Sequence, residues 1–317
     1  MRIMIGYDGS EHSDAAIDSL RWAGIPRDSE FLIVSVGDLL MSAPELSEAI
    51  DKALYVPRVS AALKNAQTHA KRVTTEANES ASRAKERIAE LFSESKIHTE
   101  VMIGTPSWML LDSANKWNAD LVVVGSQGRS ALKRFFLGSV SKRIVTDSQA
   151  SVRLGRNRVD LDAGAPPRII VGVDGSPAAE QAIYTVGQRA WPEGTEVQLI
   201  SVDDGIPPTG IISRLPQASA MIEQYFRSRE TRISSMLDWA NKELRNIGIT
   251  TSTVMKKGDP KNILLANAEE WRADSIFVGT RDFKSGFERF RLGSVSTAIV
   301  TNALCSVEVV RGGDEQA

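Results

Sequence analysis

Gly125-Ser126-Gln127-Gly128 is followed, nine residues later, by Gly138-Ser139. Glycines at such spacing let several backbone N–H groups face one concavity, because glycine accepts positive φ and admits close approach of a ligand. The chemistry that fits is the binding of phosphate oxygens. A helix beginning near Ser139 adds unpaired N–H groups and the positive end of its dipole. Ser139 can cap that helix or give its hydroxyl to a phosphate oxygen. Arg129, Lys133 and Arg134 lie inside the loop and can add charge. A plain glycine turn followed by a capping serine is the structural alternative, and the spacing alone leaves it open.

Asp8 is the second candidate. It ends an apolar run, Arg2 to Tyr7, inside the sequence MRIMIGYDGS. A carboxylate at the carboxyl end of a strand can accept hydrogen bonds from ribose hydroxyls or base amino groups. It can equally cap the helix that follows, a task Ser10 performs as well. Both roles stand.

The elements that position these residues are read from periodicity. Apolar runs at Arg2–Tyr7, Phe31–Val36, Ile97–Ile103, Leu121–Val124 and about Ser151–Leu154 are strands. Between them lie helical stretches at Ser13–Trp22, about Pro57–Phe92 and from Pro106, where Thr105-Pro106 is a helix start. Leu121–Val124 is apolar throughout, as a strand buried on both faces must be. Strands alternating with helices imply a parallel, doubly wound sheet. In such sheets ligands sit outside the carboxyl ends of the strands, where Asp8 and the glycine loop both fall.

The pattern occurs twice. Met1–Ser10 faces Pro167–Ser176 (PRIIVGVDGS) at an offset of 166. Gly104–Ser126 faces Gly258–Thr280 at 154, and FFLGSVSKRIVT from Phe135 faces FRLGSVSTAIVT from Phe290 at 155. The chain is therefore a tandem duplication: residues 1–155, a polar Pro-ending linker at 156–167, and residues 168–311. The second copy alters the loop, which reads GTRDFKSGFERFRLGSVS. Asp282 stands at the place of Gly128, and the Gly279 to Gly293 spacing is one residue longer. Gly286 offers another loop shape, and Arg281, Lys284, Arg289 and Arg291 keep anion binding open. Met221, Ile222, Tyr225, Phe226, Ile233, Met236, Leu237, Ala240, Leu244 and Ile247 recur at helical spacing, as a face packed on the sheet would, with a partner groove as the alternative.

Both copies resemble the universal stress protein family, across nearly the whole chain. IGYDGS and VGVDGS, the GTP and GDP helix starts, VVVGSQGRS and FLGSVS carry the resemblance. Its ATP-binding members carry G-2x-G-9x-G-S/T, which the first copy satisfies. The resemblance implies two open, parallel, five-stranded α/β domains of the Rossmann-like, adenine nucleotide alpha hydrolase-like type. It implies ATP with Mg²⁺ as ligand in a stress-response regulator. Gly6, Asp8 and, by position alone, Val36 would border adenine and ribose. Gly125, Ser126, Gly128, Arg129, Gly138, Ser139 and Val140 would hold the phosphates. Asp174, Val202, Gly279, Gly293, Ser294 and Val295 would form the second, altered site. It also implies pairing of Ser151–Leu154 with Val307–Val310 in an intrachain pseudo-dimer, with Arg153 opposite Glu308. Homodimerisation stays optional, and the protein partner is unnamed. A slow ATPase and a nucleotide-free scaffold are the alternatives.

Other classes find little support. Of 317 residues, 42% are hydrophobic and 25% charged, with net charge −2, so there is no basic footprint for nucleic acid. One cysteine, Cys305, excludes a disulfide framework and reads as a small buried hydrophobe in a cytoplasmic chain. No leader peptide or membrane span is apparent. His12, His69 and His98 lack metal-ligand spacing. There is no G-x-S-x-G elbow, no Gly-Lys-Ser/Thr ending and no acidic pair of a receiver domain. Trp117 and Trp271 match across the repeat and are expected to pack.

Overall fold

A computed structural model of the chain describes residues 1–38, 59–128, 137–157, 164–205, 218–280 and 292–312, with side chains of 59–67 and 218–220 excepted. Arg129, Lys133 and Arg134, and Arg281, Asp282, Lys284, Gly286, Arg289 and Arg291, lie outside the described residues.

Ten strands form one sheet in the order β3-β2-β1-β4-β5-β10-β9-β6-β7-β8. The first five are β1 (Arg2–Gly6), β2 (Glu30–Gly37), β3 (Lys96–Ile103), β4 (Leu121–Gly125) and β5 (Ser151–Gly155). The second five are β6 (Arg168–Gly172), β7 (Glu196–Asp203), β8 (Thr250–Lys257), β9 (Ser275–Gly279) and β10 (Ser306–Val310). All pairs within each set are parallel, whereas β5 and β10 pair antiparallel. Each half is thus an open, five-stranded parallel domain, and the two join edge to edge.

The helices of domain 1 are α1 (Glu11–Asp18), α2 (Val59–Leu91), α3 (Pro106–Lys116) and α4 (Ser139–Asp147). Those of domain 2 are α5 (Pro177–Gly187), α6 (Ala218–Asn246), α7 (Pro260–Glu270) and α8 (Ser294–Asn302). The stretch expected as one helix over Ser13–Trp22 is α1 followed by a 3-10 turn, Ser19–Trp22. Asp-Gly-Ser starts both α1 and α5 by one device. Gly9 and Gly175 take left-handed φ values of 77° and 76°. Ser10 then accepts from the Ser13 N–H, and Ser176 from that of Ala179, each at 3.2 Å.

Both faces of the sheet are covered, so its inner strands are largely apolar, with Arg153 of β5 and Glu308 of β10 as charged exceptions. On one face a single apolar core runs across both domains, from Met4 and Val34 through Val152, Leu154, Val307 and Val309 to Ile170 and Ile200. On the other face the cores separate. Ile3, Ile5 and Val123 pack with α1 and α2 residues; Ile169, Val171 and Phe277 pack with α5 and α6 residues. In α6 the apolar face is split. Ile233, Leu237, Ala240 and Leu244 are buried against the sheet, while Met221, Tyr225 and Ile247 are exposed. Trp117 and Trp271 end α3 and α7 and sit over Arg2 and Arg168, 4.8 and 6.0 Å from guanidinium to ring. The single thiol, Cys305, packs against the shared core, and burial pushes it up to about 12.

The join is tightly registered. Val152, Arg153 and Leu154 face Val309, Glu308 and Val307. Arg156, the first residue of the expected linker, donates through its guanidinium to the carbonyls of Val300 (2.6 Å) and Cys305 (3.1 Å).

Candidate functional site

A cleft of about 660 Å³ opens at the carboxyl ends of β1, β2 and β4. That size suits a small-molecule ligand. Gly6, Asp8, Val36, Gly125, Gly128, Gly138, Ser139 and Val140 all line it. Ser126 lies on the loop between and is not a lining residue; its carbonyl accepts from the Gly138 N–H at 2.9 Å, closing the two glycine segments on each other. Ser141 fixes the same corner by donating to the Gly125 carbonyl at 2.7 Å.

The glycines earn their places by close approach rather than by φ. None of Gly125, Gly128 and Gly138 adopts the left-handed region, contrary to the expectation from the loop. A β-carbon on Gly125 would lie 2.6 Å from the His12 carbonyl oxygen at the start of α1. Gly279 is confined the same way, 2.2 Å from the carbonyl oxygen of Ala178. This glycine therefore serves the packing of the first helix in both domains. Gly128 and Gly138 face each other and the cleft instead. A β-carbon on Gly138 would sit 3.4 Å from the Gln127 Cα, and one on Gly128 would sit 3.3 Å from Asp8 Oδ2.

Helix α4 begins with Gly138 as its N-cap, and no side chain caps it. Ser139 is the first helical residue, not the cap. The first-turn N–H groups of α4 thus face the cleft without a side-chain acceptor, unlike those of α1 and α5. Among the described residues, the lining contains no Lys or Arg. The positive features of the described lining are backbone N–H groups and the amino end of the α4 dipole.

The rest of the lining is acidic and partly apolar. Asp8, Asp38 and Glu76 belong to it, with Val34, Val36, Val73 and Leu110. Asp8 Oδ1 accepts from the backbone N–H (3.0 Å) and hydroxyl (2.6 Å) of Ser10. One oxygen therefore orders the helix cap, and the other, Oδ2, faces Gly128. Of the two roles weighed for Asp8, the ordering of the helix start is the one its Oδ1 contacts make.

Tyr7, Val73 and Glu76 also line the cleft and were not singled out in the sequence. The Tyr7 hydroxyl donates to Asp14 at 2.5 Å and accepts from Arg83 Nε at 2.9 Å. Burial, and then the Asp14 hydrogen bond, push its pKa up to about 12. It is a neutral donor at any physiological pH. Arg83 also donates to the Gly9 carbonyl at 2.9 Å, so α2 is tied directly to the Asp8-Gly9-Ser10 turn.

Domain 2 departs from this pattern beyond its loop. The buried positions Ala77, Ala81, Ala84 and Ile88 of α2 have the same spacing as Ile233, Leu237, Ala240 and Leu244 of α6. This register places Arg229 at the position of Val73. In domain 1, Val73 packs on Gly37, where a β-carbon would lie 2.4 Å from Val73 Cγ1. In domain 2 the equivalents are charged: Arg229 lies 3.0 Å from Asp204 and 3.8 Å from Asp203. Asp174 still orders Ser176 at 3.0 Å, and Gly293 is still the uncapped N-cap of α8 before Ser294 and Val295. Val202 is buried. The framework persists while the apolar wall opposite β7 is replaced by an ion pair.

Among the described residues no cluster of three or more His, Cys, Asp or Glu is placed to hold a metal, and no helix is long and apolar enough to cross a membrane.

Comparison with known proteins agrees with the duplicated fold. A sequence model of the Universal stress protein family matches residues 1–154 and again 167–311. A universal stress protein of Mycolicibacterium smegmatis is 26% identical over 98% of this chain and 96% of its own. A universal stress protein from Archaeoglobus fulgidus, solved by crystallography, covers 98% of both chains at 20% identity with a TM-score of 0.65. A Universal Stress Protein Family protein of Arabidopsis thaliana, solved with AMP bound, is 20% identical and covers 48% of this chain and 95% of that one, with a TM-score of 0.33. With two successive family matches on one continuous ten-stranded sheet, the chain belongs to the universal stress protein family as a tandem, two-domain member.

Proposed function

We propose that domain 1 binds an adenine nucleotide, ATP with Mg²⁺, and that occupancy makes the chain a nucleotide-dependent binding module in a cytoplasmic stress response. One observation carries this reading: segments far apart in sequence bring Gly6, Asp8, Val36, Gly125, Gly128, Gly138 and Ser139 to a single cleft. Backbone N–H groups at the start of α4 would receive the phosphates. Asp8 Oδ2 and the apolar wall of Val36 and Val73 would receive ribose and base. A magnesium ion carried in with the nucleotide would offset phosphate charge. Arg129 adds positive charge in this reading.

Occupancy has a route to the rest of the molecule. The amino end of α4 lines the cleft. Its carboxyl end is capped from domain 2, where Arg311 donates to the Val145 carbonyl at 2.5 Å. A ligand that shifts α4 therefore acts on the domain junction, and so on the surface a partner protein would meet. Domain 2 is a framework without an equivalent adenosine wall.

Binding is favoured over turnover. Hydrolysis requires a group positioned to orient or deprotonate water. Tyr7 is held neutral, and Asp8 commits one oxygen to Ser10. Nucleotide analysis of the purified chain, followed by calorimetric titration with ATP and Mg²⁺, tests the reading. A chain that neither co-purifies with nor binds adenine nucleotide overturns it. Single-turnover measurement on bound ATP separates a binder from a slow ATPase.

A further inference from the structure

The domain junction contains one pair of residues that its own symmetry singles out. Ser151–Gly155 and Ser306–Val310 correspond across the repeat at an offset of 155. In the antiparallel register, Arg153 faces Glu308, which is its own repeat counterpart. The pseudo-two-fold axis relating the domains therefore passes through this pair. Every other residue of the seam meets the counterpart of a different position; the axis residue alone meets itself.

The surrounding contacts are symmetric. Arg156 donates to the Val300 carbonyl at 2.6 Å, and Arg311 to that of Val145 at 2.5 Å. The Arg156 N–H donates to Ser306 Oγ, and the Arg311 N–H to Ser151 Oγ, both at 3.1 Å. The flanking Val152 and Leu154 match Val307 and Val309 in apolar character. All of these contacts would survive if β5 paired with β5 of a second copy. Only the axis residue would not. Two Arg153 side chains would then meet, each with no carboxylate opposite.

That encounter is costly because the axis is dry. Arg153 and Glu308 side chains are 1% and 0% exposed. Arg153 Nη1 lies 3.5 Å from Glu308 Oε2, and its other nitrogens donate to Ser19 (3.2 Å) and Ser275 Oγ (2.9 Å). Glu308 also pairs with Arg189, whose counterpart in domain 1 is Ala23. Arg189 itself donates to the Ala23 carbonyl at 3.0 Å. Among the described residues, Glu308 is thus the one carboxylate shared by two buried guanidinium groups, and it comes from domain 2. Like charges directly opposite on adjacent strands destabilise, and a buried charge left without its partner is heavily penalised.

We propose that Arg153 and Glu308 are a charge code on the pseudo-two-fold axis that commits the β5 edge of domain 1 to a domain 2 and rejects domain 1 of a second copy. Duplication makes this possible. A homodimer of single domains places identical residues on its axis and cannot bury a charge there, whereas a tandem chain can place opposite charges. Any association of two chains then has to use a surface other than this edge.

The test uses the full-length chain with Glu308→Arg, Arg153→Glu and the double reversal. E308R reproduces within one chain the Arg–Arg encounter that a second domain 1 would impose. The double variant R153E/E308R keeps the same two arginines and one carboxylate but exchanges their strands. The urea midpoint of E308R is expected to fall by about 1 M or more, and the double variant to regain at least half of that loss. Where E308R is insoluble, recovery of a soluble chain of monomer mass by light scattering in the double variant is the equivalent result. A wild-type midpoint for E308R overturns the proposal. So does a double variant no better than the worse single one.

Discussion

Asp8 Oδ2 sits 3.3 Å from the point that a β-carbon on Gly128 would occupy. The carboxylate and the glycine loop are therefore two walls of one narrow passage. An aspartate at residue 128, the residue type that domain 2 carries at Asp282, would set two carboxylates against each other at the phosphate position of the proposed nucleotide. Gly128→Asp is expected to weaken ATP binding by at least a hundredfold in calorimetric titration. Gly128→Ala adds only a tight methyl and should cost about tenfold, roughly 1.4 kcal/mol.

The loop glycines should separate by kind. Gly125 is held by the backbone of His12, and Gly279 by that of Ala178. Alanine at either position is expected to cost about 1–3 kcal/mol of stability with or without nucleotide, read as a lowered urea midpoint. Gly138→Ala meets the Gln127 Cα at 3.4 Å and the Gly128 nitrogen at 3.5 Å, both ordinary contacts. It should leave the midpoint of the ligand-free chain near wild type and lower affinity for ATP. Equal stability losses at Gly125 and Gly138 would contradict this division.

Tyr7 gives the fold a marked alkaline limit. Its pKa is pushed up to about 12 in the folded chain by burial and by Asp14, against about 10 when unfolded. A raised acid pKa means the folded state resists ionisation. Its contribution is fully present below pH 10 and is lost as pH climbs from about 10 toward 12. The loss should be about 1–2 kcal/mol, since the hydroxyl lies at the wall of the cleft. Tyr7→Phe removes the titration, so its thermal midpoint should fall less steeply than wild type between pH 9.5 and 11. Parallel curves would exclude Tyr7 as the source.

Arg229 should matter to domain 2 alone. Its ion pairs with Asp203 and Asp204 stand where domain 1 has the Gly37–Val73 contact. Arg229→Ala is expected to cost about 1 kcal/mol, the scale of a partly exposed pair. Native mass spectrometry should find the number of nucleotides per chain unchanged. Gain of a second nucleotide would mean that Arg229 by itself closes the domain 2 cleft.

Much of this architecture was readable from the residues. The repeat offsets gave the duplication, and the alternation of apolar runs with helices gave the parallel domains. Matching positions of Arg153 and Glu308 in the last strands anticipated their pairing across the junction. The glycine loop and Asp8 both fall at strand carboxyl ends in the sequence pattern, and they line one cleft. What escaped was the contribution of the long helices. The α2 sequence is Ala-rich and polar, so its periodicity is weak and does not show which residues face the cleft. Val73 and Glu76 were missed for that reason. The correspondence of Val73 with Arg229 depends on the relative register of α2 and α6, which an insertion between β2 and α2 hides. Only the shared burial spacing, Ala77 to Ile88 against Ile233 to Leu244, reveals it. The reason for glycine at residue 125 was also out of reach, because a close approach by the His12 backbone leaves no trace in local sequence.

The central claim is one adenine nucleotide per chain, held by domain 1. Native mass spectrometry of the full-length protein with ATP and Mg²⁺, run beside Gly128→Asp, measures it most directly. The account predicts one bound nucleotide for the wild-type chain and none for the variant. Two nucleotides, none, or one that survives Gly128→Asp would contradict it.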